Sequence, residues 1–207
     1  LLLPMFSRLL KEKKPVGELL AFSFQFLYAM LIVASINIMF FSEPIMVALY
    51  DEGNAYSGQI LALLIISFIG TGSGYIFGSL LTANENLKEL NVLYFTAMVL
   101  NVLLNFIFIS QYKALGAAGV TLFTQFFVWF GLVFLAVRNF SISFNYRLLT
   151  RVFLFTISVI FSSYFVLNWI EMDWLPQLGI GIGIGIILSL VFKLIDIKGI
   201  IQLMKER

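Results

Sequence analysis

Six stretches of this chain, residues 19–41, 58–83, 91–110, 115–137, 152–170 and 175–192, contain no Asp, Glu, Lys or Arg. A bilayer core of about 30 Å is crossed by roughly 20 helical residues at about 1.5 Å each, so even the shortest stretch spans it with snorkelling flanks. With 61% hydrophobic and 12% charged residues and a mean hydropathy of +1.01, the chain has no means of presenting a water-soluble surface. The predicted fold class is all-α: a polytopic membrane helix bundle of six transmembrane helices.

The loops between these stretches set an orientation. Arg8, Lys11, Lys13 and Lys14 precede the first span, whereas the next loop carries only Glu43, Asp51 and Glu52. The sign reverses at Lys88, fades at the lone Lys113, and returns with Arg138, Arg147 and Arg151. It reverses again at Glu171 and Asp173 and ends basic, with Lys193, Lys198, Lys205 and Arg207. Twelve of the thirteen Lys and Arg residues therefore lie on one side. Lys and Arg are retained on the cytoplasmic face during insertion, so both chain ends are expected in the cytoplasm and the acidic loops outside.

What is missing limits the chemistry. The chain has no His and no Cys, so it has no disulfide framework, no thiolate or imidazole metal ligand, and no nucleophile–base pair of the serine- or cysteine-hydrolase kind. No cofactor is expected. Glu171 and Asp173 share a short external turn, where a carboxylate pair either decorates the surface or does acid–base work; the latter usually needs partial burial to tune the groups. The formal charge of +2 is too small to imply nucleic acid as a partner, and the cations sit at membrane edges where anionic headgroups are the natural neighbours.

Local signals fill in the connections. Leu1-Leu2-Leu3-Pro4-Met5-Phe6-Ser7-Arg8 reads as the cytoplasmic end of a further helix and not as a secretory signal, since it lacks a basic n-region and a small-residue cleavage site. On this reading the chain is the C-terminal part of a longer protein. Phe41-Ser42-Glu43-Pro44-Ile45 reads as a helix start, with Ser42 as N-cap, an acid in the first turn and Pro where its missing N–H costs nothing. A short interfacial helix is predicted to run to about Tyr50 and stop at Asp51-Glu52-Gly53-Asn54, with Gly53 in the left-handed conformation. Asn84-Glu85-Asn86-Leu87-Lys88-Glu89 reads as a polar turn. Gln111-Tyr112-Lys113-Ala114 is so short that the spans beside it must be neighbours. Tyr164, Trp169 and Trp174 gather near the last outer turn, as headgroup anchors do.

Three motifs in order carry a family resemblance: Leu3-Pro4-Met5-Phe6-Ser7-Arg8-Leu9; Ser42-Glu43-Pro44-Ile45 one span later; and Asn101-x-x-x-Asn105-Phe106 leading into Tyr112-Lys113-Ala114-Leu115-Gly116-Ala117-Ala118-Gly119. Together they resemble the C-terminal half of polysaccharide flippases in the multidrug/oligosaccharidyl-lipid/polysaccharide superfamily. Ser110-Gln111 stands where relatives commonly place a Pro. The resemblance implies two six-helix lobes enclosing a cavity, with two extra C-terminal helices in fourteen-span members. It also implies alternating access that turns a lipid-linked sugar across the bacterial inner membrane. By that count residues 1–140 hold the end of the eighth span and four helices of the second lobe, and residues 141–207 hold the two extra spans and a cytoplasmic tail. The implied partners are a lipid-linked sugar, membrane lipids and the missing N-terminal half.

Moving such a substrate needs a polar cavity for the head and an apolar side opening for the lipid. No cation is available within the spans, where one would cost roughly 2.5–3.5 kcal/mol at the midplane. The candidate cavity lining is therefore Gln25, Asn37, Asn101, Asn105 and Gln125. Each has a packing alternative, because an Asn or Gln in a membrane helix also bonds neighbouring helices. Asn101 and Asn105 are four apart and share a face. Gly70, Gly72, Gly74 and Gly78 form either a close-packing stripe or a weak hinge, and the Gly179-Ile180-Gly181-Ile182-Gly183-Ile184-Gly185 run reads as close packing. The expected function is flipping of lipid-linked oligosaccharide for polysaccharide biosynthesis. Its competitors are a peptidoglycan-precursor flippase of the same superfamily, a multidrug or cation antiporter, and a membrane-embedded glycosyltransferase.

Overall fold

The computed structural model describes residues 2–140 and 146–195. The basic tail residues Lys198, Lys205 and Arg207, and residue 141 where the second predicted unit begins, lie outside the described residues. Among the described residues, seven helices run in the order α1 (Leu2–Lys11), α2 (Gly17–Phe40), α3 (Ser42–Leu49), α4 (Ala55–Ala83), α5 (Leu87–Phe140), α6 (Tyr146–Trp169) and α7 (Trp174–Val191). Of these, α2, α4, α5, α6 and α7 are long and apolar enough to cross a membrane.

The count of six crossings is recovered within α5. A straight helix of its 54 residues would be roughly 80 Å long, far more than a bilayer core. Lys113 leaves helical geometry (φ 53°, ψ −131°), and the chain doubles back there. The two limbs, residues 87–112 and 114–140, are antiparallel: Asn86 meets Asn139, Leu93 meets Gly131 and Asn101 meets Thr124, pairs all centred on residues 112–113. The turn is thus tighter than the four-residue loop expected from the sequence. Two features hold it. The Tyr56 hydroxyl of α4 donates to the Tyr112 carbonyl and accepts from the Leu115 N–H, each at 3.3 Å, so backbone groups freed by the break find a partner. Gly116 lies so close to the preceding limb that a β-carbon would run into the Phe108 carbonyl.

Helix α2 is the hub. It packs on α4 on one side and on α6 and α7 on the other; α4 carries the α5 hairpin, and α6 pairs with α7. Two cores result. At the basic edge, Phe6 of α1 and Leu20 of α2 lie against Ile76, Leu80 and Leu81 of α4 and Leu132 and Ala136 of α5. Further along, Ala29, Ile32, Val33 and Ile36 of α2 meet Ile69 of α4 and Val152, Phe155 and Val159 of α6. Half of the most apolar stretch of α2 is buried, against 6% of that of α5, which lies in the first limb; the second limb packs against α4, and the first turns most of its apolar side chains outward.

Two local expectations are corrected. Ser42 is already inside α3; Phe41 caps it without a side-chain bond, because α2 runs almost directly into α3. Gly53 is not left-handed. It is there because its backbone passes Met46 and Val47 of α3 so closely that a β-carbon would collide with their main chain. The capping signal lies one residue on, in a reciprocal box: Ser57 N–H donates to Asn54 Oδ1 and Asn54 N–H to Ser57 Oγ, both 3.0 Å. Left-handed residues instead close α1, α4 and α7 at Lys13, Glu85 and Lys193. In each, the following N–H reaches back five residues, as from Lys14 to Leu9, Asn86 to Leu81 and Leu194 to Ser189. Beside the first, Lys14 Nζ stands 2.7 Å from Glu12 and holds its carboxyl below the ordinary value, with Arg8 contributing less.

Replacing Tyr56 with Phe removes the hydroxyl that bridges the Tyr112 carbonyl and Leu115 N–H of the α5 turn and is expected to cost about 1 kcal/mol. Gly116→Ala, which must displace backbone, is expected to cost more. Unfolding midpoints in detergent, with amide exchange at Leu115, check both.

Candidate functional site

The polar side chains within the spans fall into two kinds of surroundings. On the hairpin, Asn105 Nδ2 donates to Asn101 Oδ1 (2.9 Å), and Asn101 Nδ2 donates to Thr124 Oγ1 on the second limb (3.1 Å). The Thr124 hydroxyl passes its proton to the Val120 or Thr121 carbonyl, at 2.9 and 3.1 Å. This ladder crosses the hairpin and opens on one side to a concavity of about 490 Å³ lined by Asn101, Val102, Asn105, Phe106, Ile109 and Ser110. Asn105 Oδ1 ends the ladder as a buried acceptor without a partner among the described residues. Such an acceptor costs about 1–3 kcal/mol and favours any hydroxyl or water that reaches it.

Asn37 lies elsewhere and is fully buried. Its Nδ2 donates to the Val33 carbonyl (2.8 Å), and Ser163 Oγ of α6 stands 3.1 Å from its Oδ1 and 2.9 Å from the Val159 carbonyl, so one proton serves both. Its carboxamide also fills the space left by Gly181 of α7, where a β-carbon would strike Asn37 Oδ1. Asn37 therefore joins three helices, as a packing node. Gln25 and Gln125 are half-buried and join neither group. Of the side chains near the α6–α7 turn that read as anchors, Tyr164 and Trp169 are exposed, Trp169 the more at 72%, and Trp174 is half-buried.

The glycines divide by face. Gly70, Gly74 and Gly78 of α4 look toward the α5 hairpin: a β-carbon on Gly70 would lie 3.2 Å from the Gln125 backbone and one on Gly74 3.2 Å from Leu132, both of the second limb, and one on Gly78 3.4 Å from the Tyr94 hydroxyl of the first. Gly72 points the other way, to Leu31 of α2, at 2.6 Å. In α7, Gly181 and Gly185 meet Asn37 and Val33, whereas Gly179 and Gly183 face open space. The close-packing reading of that run holds for one face only.

Two residues escaped the sequence reading. Thr124 was visible in principle, since folding a hairpin about residue 113 sets it opposite Asn101. Tyr56 was not, because nothing local marks a tyrosine that reaches across 56 residues.

Hydrocarbon-facing helices around an uncharged polar ladder define a multi-pass membrane protein with an all-helical bundle fold. Among solved structures, the lipid II flippase MurJ in an inward closed conformation is similar to it, with a TM-score of 0.73 and 20% identity over 91% of this chain. The chain spans 40% of the length of that flippase. No family model and no curated protein matches the sequence.

If Gly181 exists to accommodate Asn37, then Gly181→Ala should destabilise the otherwise unaltered chain, and pairing it with Asn37→Ala should recover part of the loss. A double-mutant cycle on thermal midpoints measures this coupling, expected at about 0.6 kcal/mol or more.

Proposed function

We propose that this chain is part of a flippase that moves a lipid-linked oligosaccharide across the bacterial inner membrane by alternating access, in polysaccharide biosynthesis. The observation that carries this reading is the fold shared with a lipid II flippase over 91% of the chain. The motifs of the sequence point the same way. The Asn101–Asn105 ladder supplies what the head of such a substrate needs: uncharged donors and acceptors for sugar hydroxyls, beside a concavity at the hairpin surface. The diphosphate requires cations that these spans do not hold, and a preceding helical lobe would supply them. Residues 1–140 would then complete the second lobe, and residues 141–207 would add two helices and a tail.

The same observation favours a second reading within the superfamily, flipping of a peptidoglycan precursor, because lipid II is the substrate named for the similar structure. Multidrug or cation antiport has less support, since ion coupling usually uses intramembrane carboxylates and the spans carry none.

Depletion of the complete gene product separates these readings. A polysaccharide flippase leaves lipid-linked repeat units on the inner leaflet, and a peptidoglycan-precursor flippase leaves lipid II there. Asn101→Leu with Asn105→Leu is expected to slow translocation on the order of tenfold, the equivalent of one hydrogen bond lost at about 1.4 kcal/mol. Unchanged translocation of either lipid would reject the site.

The proposed orientation has its own check, helped by the absence of Cys. Asp51→Cys should react with an impermeant maleimide added to intact cells, and Glu85→Cys only after the membrane is opened.

A further inference from the structure

A second concavity, about 540 Å³, lies between the two limbs of α5 at the basic edge. Lys88 and Arg138 stand at its mouth, both exposed, with no ion-pair or hydrogen-bond partner among the described residues. Glu89 is beside them, and its Oε2 accepts from Asn86 Nδ2 at 2.6 Å, so one acid faces two cations. From the mouth the groove runs inward between Val92 and Leu93 on one limb and Phe134 and Leu135 on the other, reaching Thr96 and Phe127. Eight helical residues separate Lys88 from Thr96, a depth of about 12 Å.

The geometry points to a binding site for one anionic glycerophospholipid of the leaflet at this edge, its phosphate between Lys88 and Arg138 and one acyl chain along the apolar walls. Charge selects the occupant. Two free cations at headgroup depth attract an anionic lipid and gain nothing from a zwitterionic one, whose own ammonium would compete for the same phosphate. The walls select an amphiphile over a soluble anion, since inorganic phosphate would leave them uncovered. Gly131 keeps the floor open, because it lies directly over Leu93. The site is separate from the Asn101–Asn105 ladder, and its occupant is resident lipid and not cargo.

The test uses the full-length protein in nanodiscs of equal phosphatidylglycerol and phosphatidylcholine, followed by native mass spectrometry of the lipid retained. Phosphatidylglycerol is expected to be retained over phosphatidylcholine by a factor on the order of ten, as two cations near an anionic headgroup supply. Lys88→Gln with Arg138→Gln should abolish the preference. Lys88→Arg with Arg138→Lys should keep it, as should Lys113→Gln, which removes a charge at the other edge. The thermal midpoints of all variants should match, because both cations are exposed. Equal retention of the two lipids, no retained lipid at all, or a preference that survives the double Gln variant would each overturn the proposal. None of these outcomes bears on translocation.

Discussion

Hydrocarbon offers the backbone no hydrogen-bond partner, and an unpaired N–H or C=O there costs several kcal/mol. Everything regular in this molecule follows from that constraint. The chain must be helical wherever it crosses, and departures from helix are confined to the edges or served by a neighbour. The α5 turn shows both. Lys113 breaks the helix at an edge, and the Tyr56 hydroxyl takes up both a carbonyl and an N–H that the break releases. Where helices α1, α4 and α7 end at the basic edge, the last carbonyls are closed by chain reversals at Lys13, Glu85 and Lys193. A charged side chain in the left-handed conformation is strained relative to Gly, yet at this edge its long polar arm reaches headgroups and water, which Gly would not.

The same constraint explains why span number was legible and local capping was not. Six uncharged stretches and a one-sided distribution of cations reflect costs of several kcal/mol per misplaced charge, too large for tertiary context to override. Ser42 and Gly53 were read from preferences worth about 1 kcal/mol, and context did override them. Helix α2 ran on into α3, leaving Ser42 no free N–H to cap, and Gly53 was needed for a close passage over Met46 and not for its dihedral freedom. The four-residue loop at 111–114 shrank to one residue because Tyr56, distant in sequence, supports a sharper turn.

Among the polar residues, spacing told more than identity. Asn101 and Asn105, four apart on one limb, lie together on a ladder that ends at an open concavity. Asn37 has the same side chain but is enclosed by α6 and α7, helices whose approach no local pattern announces. A single Asn cannot declare whether its partner is a neighbouring helix or a ligand. A pair on one face at least states that something continuous lies along that face. The hairpin register then identifies it: Thr124 completes the line because the limbs reverse about residue 113.

The small residues of α4 bear on how such a bundle moves. Gly70, Gly74 and Gly78 bring α4 against the α5 hairpin, while Gly72, on the opposite face, brings it against α2. A hinge requires space or lost contacts on at least one side, whereas here each glycine is a point of close approach to a neighbouring helix, α5 on one face and α2 on the other. Bending α4 at this stretch would open both contacts together. Displacement of α2, α4 and the α5 hairpin as one body leaves them intact, and the relative motion then falls at interfaces without such interlocking. The outer faces of α5 and of Gly179 and Gly183 in α7 meet that description, since neither touches another described helix. If the chain takes part in alternating access, rocking at those faces disturbs fewer packed contacts than flexing within the bundle.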